Sequence, residues 1–201
     1  MKREIHAILL ASGESERMPG RDKLLLNWHG QPLIVHMVQQ LLQAPVSHLT
    51  VVIRSNTFTR SVLASHPNMT IIDNPNPSLG LGLSLHLGLK QVGSDVGGLM
   101  ICLADMPLLS TAIYSDLIDS FSDLDTAHPN ILIPTFKGIR GHPILFSNEL
   151  LPKLLALPSD RDAGAKDLLQ RSNEWITELS VKTNAVLLDI DHWDDYITLH
   201  S

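Results

Sequence analysis

The chain lacks several features that would place it in a class at once. Its 201 residues hold a single cysteine, Cys102, inside an apolar run, so no disulfide forms within the chain and a reducing compartment is expected. The ten histidines contain no HxH or HxxxH pair, which argues against a zinc site. No apolar run reaches the length of a membrane span. The segment from Met1 to Leu10 has neither the long apolar core nor the A-x-A site of a secretory signal, so the chain reads as cytoplasmic with no membrane partner. An excess of positive charge is missing too. The formal net charge is -6, and a general nucleic-acid binder is usually basic. No internal repeat or low-complexity tract appears. What remains is an ordinary globular composition, 44% hydrophobic and 18% charged, with enough length for one well-buried domain.

The most informative stretch is the first. Ile5 to Leu10 is apolar throughout and of buried-strand length. It runs into Ala11-Ser12-Gly13 and then a charged loop that closes on Lys23. Small residues let backbone N–H groups approach an anion, and Arg17, Arg21 and Lys23 supply positive charge, so the loop reads as a phosphate cradle. It is not a GxxxxGK[ST] loop, because Leu24 follows Lys23, and Gly13 alone is no dinucleotide fingerprint. The alternative reading is a strand followed by a plain polar turn.

Further strands are expected over Leu49–Ile53, Thr70–Asp73, Gly98–Leu103, Ile131–Ile133 and Ile144–Phe146, with late strands over Trp175–Val181 and Ala185–Leu188. Helices are expected from Pro32 to Leu42, over Thr57–Ser65, over Leu81–Val92, from an N-cap at Ser110 to Asp119, over Leu150–Leu157 and over Ala165–Arg171. A last helix is expected after an N-cap at Asp191. This alternation predicts a single α/β domain over 1–201 with a mostly parallel central sheet and helices on both faces. The region after Asn130 departs from regular alternation and is expected to form a substrate-facing flank. Ligands of such sheets lie beyond the carboxyl ends of the strands. Three unusual loops gather there: Ala11 to Lys23, Asp73 to Gly82, and Ala104 to Pro107.

Several residues on those loops carry chemistry. Asp105 ends the most apolar strand and suits a hard cation such as Mg²⁺, although a strand-end carboxylate can equally serve as a cap. Lys23 and Arg17 fit phosphate oxygens, or are solvated surface cations. Gly80 and Gly82 open a glycine-rich helix whose N–H groups can meet a base or phosphate, with Ser84 one turn inside. Gly88 fits close packing better. Gly141 and His142 precede a strand, where His142 either contacts a substrate or is structural. Asp189 and Asp191 face one side if the segment is extended, so either can be a second metal carboxylate and either a cap. The polar turn from Asp160 to Ala165 is a possible border of the cleft.

Together these stretches resemble the MobA/MocA-like nucleotidyltransferases. Leu10-Ala11-Ser12-Gly13-x-Ser15-x-Arg17-Met18 closing on Lys23 looks like that family's first signature. Gly80 to Leu89 is similar to its glycine–serine helix start, and Leu103-Ala104-Asp105-Met106-Pro107 to its L-x-D-[MQ]-P element. Arg140-Gly141-His142-Pro143 resembles the R-G-[HNQ]-P segment of the MocA-type branch. Gly164-Ala165-Lys166-x-Leu168-Leu169 and the segment from Asp189 to Tyr196 fit that branch as well. Ser12 stands where Ala or Gly is usual, and Pro19 where Gly is usual.

The resemblance implies a Rossmann-like fold, with residues 1–120 as the nucleotide-binding half and 121–201 as the acceptor-facing half, and Mg²⁺-dependent transfer of CMP from CTP to molybdopterin, with release of pyrophosphate. Leu10, Ala11, Ser12, Gly13, Lys23, Asp73, Gly80 and Ser84 would line the nucleotide pocket. Lys23, Arg17 and Asp105 would be catalytic, Asp105 with Asp191 or Asp189 would hold the metal, and His142 and Gly141 would face the acceptor. A molybdoenzyme or its chaperone would be the protein partner. Residues 10–13 and 140–143 lean toward cytidine. GTP in place of CTP, an acceptor such as a sugar phosphate, phospholactate or methylerythritol phosphate, and a non-catalytic cofactor-binding protein are the competing readings.

Overall fold

A computed structural model describes residues 3–15, 17–18, 20–55, 57–160 and 165–200. The core begins with β1 (Ile5–Ala11), whose seven residues are all buried. Side chains alternate across a strand, and β1 divides accordingly. Ala7, Leu9 and Ala11 join one apolar cluster, while Ile8 and Leu10 join another on the opposite face. A strand apolar on both sides therefore needs helices on both sides.

One face is covered by α1 (Leu33–Gln43) and α4 (Thr111–Ser122), through Leu33, Met37 and Leu41 of the first and Leu117 and Phe121 of the second. The other is covered by α3 (Leu81–Leu89), α5 (Leu151–Leu155) and α6 (Lys166–Arg171), through Leu85, Leu89, Leu154 and Leu168. Gly88 lets α3 lie close to the sheet. A Cβ at that position would sit 2.5 Å from Ile8 Cγ2 and 3.3 Å from Val52 Cγ2. Ser110 caps α4 as its sequence predicts, accepting from the Ile113 N–H.

The remaining strands are β4 (His48–Arg54), β5 (Met69–Asn74), β6 (Gly98–Leu103), β7 (Ile131–Phe136), β8 (Ile139–Arg140), β9 (Ile144–Ser147) and β10 (Ile176–Ser180). Their order is β10-β7-β9-β6-β1-β4-β5, with β8 paired to β7. β1 is parallel to β4 and β6, β4 to β5, and β7 to β10. Only the pairings of β9 with β6 and β7, and of β8 with β7, are antiparallel within this sheet. The result is the mostly parallel α/β architecture expected, and the break in alternation after Asn130 is the insertion of antiparallel β9. The Asp73–Gly82 loop runs into a 3-10 turn, Pro77–Leu79, before α3. Helix α2 (Thr57–Val62) lies between β4 and β5 and ends earlier than expected.

Two expectations are corrected. Ala185–Leu188 is not a strand: residues Asn184–Leu187 form a 3-10 turn capped by the Thr183 side chain, which accepts from the Ala185 N–H at 3.1 Å. Asp191 does not cap α7 (Trp193–His200). The Asp195 carboxylate does so from within the helix, accepting the His192 N–H at 2.6 Å and the Asp191 N–H at 3.1 Å. The β8 hairpin had no visible strand pattern; its turn uses Lys137 and Gly138 at φ 51° and 79°.

A two-stranded hairpin, β2 (Asn27–Trp28) and β3 (Gln31–Pro32), follows the loop after β1 and receives α7. The Tyr196 hydroxyl donates to Asn27 O at 2.6 Å, and the His200 ring stacks on His29 with centroids 5.5 Å apart. At the opposite end of the sheet, buried His6 contacts Thr50 Oγ1 at 2.8 Å beside the His48 ring. Burial first, and then the neighbouring His48, lower the His6 pKa from 6.5 to about 4. A histidine lowered in the folded state confers full stability above the unfolded value and loses it as pH falls toward the folded one. Stability should therefore drop by about 2 kcal/mol between neutral pH and about pH 5. Urea titrations along that range will show it. The slope should flatten by roughly one proton in His6→Gln; an unchanged slope would remove His6 as its source.

Candidate active site

The carboxyl ends of β1, β5 and β6 carry the loops that the sequence singles out, and the loops do meet. They enclose a cleft of about 590 Å³ whose lining includes Ser12, Gly13, Lys23, Gly80, Ser84 and Asp105. Leu10, Ala11, Arg17 and Asp191 also border it, as does Asp160; Arg161 to Gly164 of that turn lie outside the described residues.

The first loop is pinned at both ends. Met18 is buried, and its N–H donates to Ser15 O at 2.8 Å. Asp22 then fixes the turn into Lys23. Its Oδ1 accepts the Leu24 N–H at 3.1 Å, and its Oδ2 accepts from Arg54 at the end of β4 at 2.6 Å. With Leu24 buried beneath, the backbone at Lys23 is held while its long stem reaches inward.

That stem ends among carboxylates. Lys23 Nζ lies 2.5 Å from Asp105 Oδ2 and 3.4 Å from Asp191 Oδ1, and donates to Ile190 O at 3.0 Å. Arg17 pairs with Asp191 Oδ2. Carboxylate oxygens of Asp105, Asp189 and Asp191 lie within 4.8 Å of one another. The segment 189–191 reaches Asp105 because the Ile190 N–H donates to Asp105 O at 2.8 Å. Burial opposes the charge on Lys23, but Asp105 and then Asp191 outweigh it and raise its pKa, so the ammonium persists. Burial, then Asp105 and Asp191, push the Asp189 carboxyl up. Asp105 Oδ1 is buried and has no hydrogen-bond partner.

The cleft floor is polar. Ser12 Oγ and Ser84 Oγ lie 2.5 Å apart, and Asn74 Nδ2 donates to Ser84 Oγ at 3.0 Å and to Ser12 Oγ at 3.4 Å. With both hydroxyl oxygens accepting from Asn74, one hydroxyl hydrogen links the pair and the other stays uncommitted. Gly80, at φ 83°, turns the chain into α3 in a conformation that favours glycine.

Three predicted site residues, Asp73, Gly141 and His142, belong to neither the cleft lining nor the acidic cluster. Asp73 pairs with Arg60 of α2 at 2.8 Å and does not line the cleft, because strand alternation turns Asn74 inward and Asp73 away. Gly141 is occupied by packing: its N–H donates to Pro134 O at 2.8 Å, and a Cβ there would sit 2.1 Å from Val186 O. Its neighbour His142 donates its backbone N–H to Val186 O at 2.9 Å and buries an unpartnered Nδ1. Burial lowers the His142 pKa, with Asp105 pulling the other way. Sequence reasoning missed Asn74, which read only as loop. A polar amide closing an edge strand was its one signal.

The model of the MobA-like NTP transferase domain family matches residues 7–175. The chain belongs to this family. Among relatives of this MobA-like transferase, a molybdenum cofactor guanylyltransferase of Vibrio atlanticus (strain LGP32) is 30% identical over 173 residues, covering 85% of this chain and 81% of that protein. A molybdenum cofactor cytidylyltransferase of Escherichia coli (strain K12) is 27% identical over 194 residues, covering 96% and 94%. In three dimensions, Rv0371c from Mycobacterium tuberculosis H37Rv in complex with manganese matches with a TM-score of 0.79 at 24% identity, covering 98% of each chain. That likeness shows that the MobA-like chain shares its fold. No helix among the described residues is long and apolar enough to cross a membrane.

Proposed function

We propose that this MobA-like protein transfers CMP from CTP to molybdopterin. A terminal phosphate oxygen of the pterin forms a bond to the α-phosphorus of CTP, and the bond from that phosphorus to the bridging oxygen breaks as pyrophosphate leaves. The observation that supports this most directly is the meeting of Lys23 with Asp105, beside Asp189 and Asp191, at the mouth of a cleft built from the first loop and the start of α3.

Each residue then has a task. The N–H groups of the Ser12–Gly13 turn and Gly80, with Arg17 and Lys23, grip the triphosphate. Lys23 neutralises the charge that gathers on the departing pyrophosphate. The uncommitted hydroxyl hydrogen of the Ser12–Ser84 pair offers a donor to the bound nucleotide. His142 faces the acceptor, held in place by Gly141. No residue need form a covalent bond, because transfer in line asks only for positioning and charge neutralisation. The chemistry of the acidic cluster fits a hard divalent cation: all its donors are carboxylate oxygens, and one is buried without a partner. Asp105, with Asp191 or Asp189, would hold Mg²⁺, which supplies charge compensation to the phosphate oxygens when bound. A molybdoenzyme or its chaperone would then receive the dinucleotide cofactor.

The test is thermal stabilisation by each nucleoside triphosphate with Mg²⁺, followed by pyrophosphate release with molybdopterin. A ligand at a hundred times its Kd adds about 2.7 kcal/mol, so the preferred base should stand out. CTP is expected to give the largest shift and the only rapid release. A larger shift with GTP would move the assignment to guanylyl transfer, the activity named for the Vibrio relative. Release with a sugar phosphate but not with molybdopterin would overturn the acceptor.

A further inference from the structure

The acidic cluster already holds cations, and they come from the chain itself. Asp105 and Asp191 pair with Lys23 and Arg17, and Asp189 lies beside them. The two cations are held differently. Arg17 and Asp191 are both substantially exposed, so their pair is screened and easily opened. Lys23 is held more firmly, its side chain 12% exposed against Asp105 at 20%, with a second carboxylate and a backbone carbonyl completing the ammonium's contacts. The backbone at Lys23 is fixed by Asp22 and Arg54, but the four-carbon stem can swing. Both resting partners of Lys23 and Arg17 are thus the groups a divalent cation needs, and both cations are the groups a triphosphate needs.

We infer that Lys23 is an internal plug, occupying the carboxylate cluster until a triphosphate draws its ammonium out, so that divalent metal and nucleotide bind together and neither binds well alone. The inference rests on the metal-and-triphosphate reading of the site given above. A metal entering alone must face the ammonium as a like charge within the same cluster. A triphosphate entering alone must face the Asp105 and Asp191 carboxylates stripped of their cations. When both enter, Lys23 and Arg17 turn to phosphate oxygens while the carboxylates turn to the metal, and every charge keeps a partner. Coupling of this kind is reciprocal: each ligand tightens the other by the same factor.

Mn²⁺ binding, read from the free-ion EPR signal, tests this without turnover. Wild-type protein is compared with Lys23→Met, which keeps the stem and removes the charge, and with Asp105→Asn, each with and without α,β-methylene-CTP. Wild-type protein should bind Mn²⁺ weakly alone and on the order of tenfold or more tightly with the analogue. Lys23→Met should bind Mn²⁺ alone on the order of tenfold more tightly than wild type, with little further gain from the analogue. If Lys23→Met binds Mn²⁺ alone no better than wild type, the plug is overturned. The site reading still stands in that case, provided wild type binds Mn²⁺ with the analogue and Asp105→Asn does not. If no protein binds Mn²⁺ even with the analogue, the site reading fails and the plug with it. Should Lys23→Met not fold, the wild-type protein alone decides: equal metal affinity with and without the analogue overturns the inference.

Discussion

Asp105→Ala is expected to melt within about 1 kcal/mol of the wild type and yet release pyrophosphate two to three orders of magnitude more slowly, in keeping with loss of a preorganised electrostatic group. The two halves of this expectation have separate causes. Stability is nearly preserved because Lys23 keeps Asp191 and Ile190 O, and because removing one of three neighbouring carboxylates relieves their mutual repulsion. Activity is lost because the carboxylate oxygen that is buried without a partner belongs to this residue. A change in kcat with an unchanged melting temperature is the signature sought. Turnover near wild type would remove Asp105 from the site, and loss of folding would make it a structural ion-pair member.

Gly141→Ala should do the reverse. It is expected to destabilise the fold by about 4 kcal/mol, at the severe end of overpacking, while molecules that remain folded retain most of their turnover. The added methyl would lie 2.1 Å from Val186 O and 3.0 Å from Leu187 Cδ2. A backbone carbonyl has no rotamer to yield with, and this one already accepts the His142 N–H. The strain would fall on the junction between β7 and the 3-10 turn Asn184–Leu187. Denaturant titration beside activity per folded molecule separates the cases. A stable but inactive Gly141→Ala would show that the glycine clears room for the acceptor.

The sequence speaks most clearly where structure is local. Gly98–Leu103 is apolar, of strand length and closed by Asp105-Met106-Pro107, and it is a strand with those bounds. Ser110 is a cap because its side chain reaches only its own helix. The convergence of three loops follows from a general rule of parallel sheets, and Lys23 meets Asp105 accordingly. What stayed hidden depends on partners distant in the chain. Asp191 reads from the sequence as either a second metal carboxylate or a cap, and local pattern does not choose between them. Only the fold brings it to Lys23, 168 residues away, while Asp195 does the capping. Ala185–Leu188 is apolar enough for a strand, but its Val186 carbonyl accepts the His142 N–H and its Ala185 carbonyl accepts the Leu188 N–H within its own turn. Asp73 and Asn74 differ by one step of the pleat, and register decides which of them turns inward.

The cluster joins Lys23 to Asp191, and the hairpin after the first loop clasps helix α7 just beyond. During synthesis, then, the ribosome lays down the first loop early and withholds the last carboxylate until every strand of the sheet has been made. A nascent or truncated polypeptide ending before residue 189 contains the first loop and Asp105 but lacks two of the three acidic groups. Completion of this centre and completion of the polypeptide through residue 191 are therefore a single event.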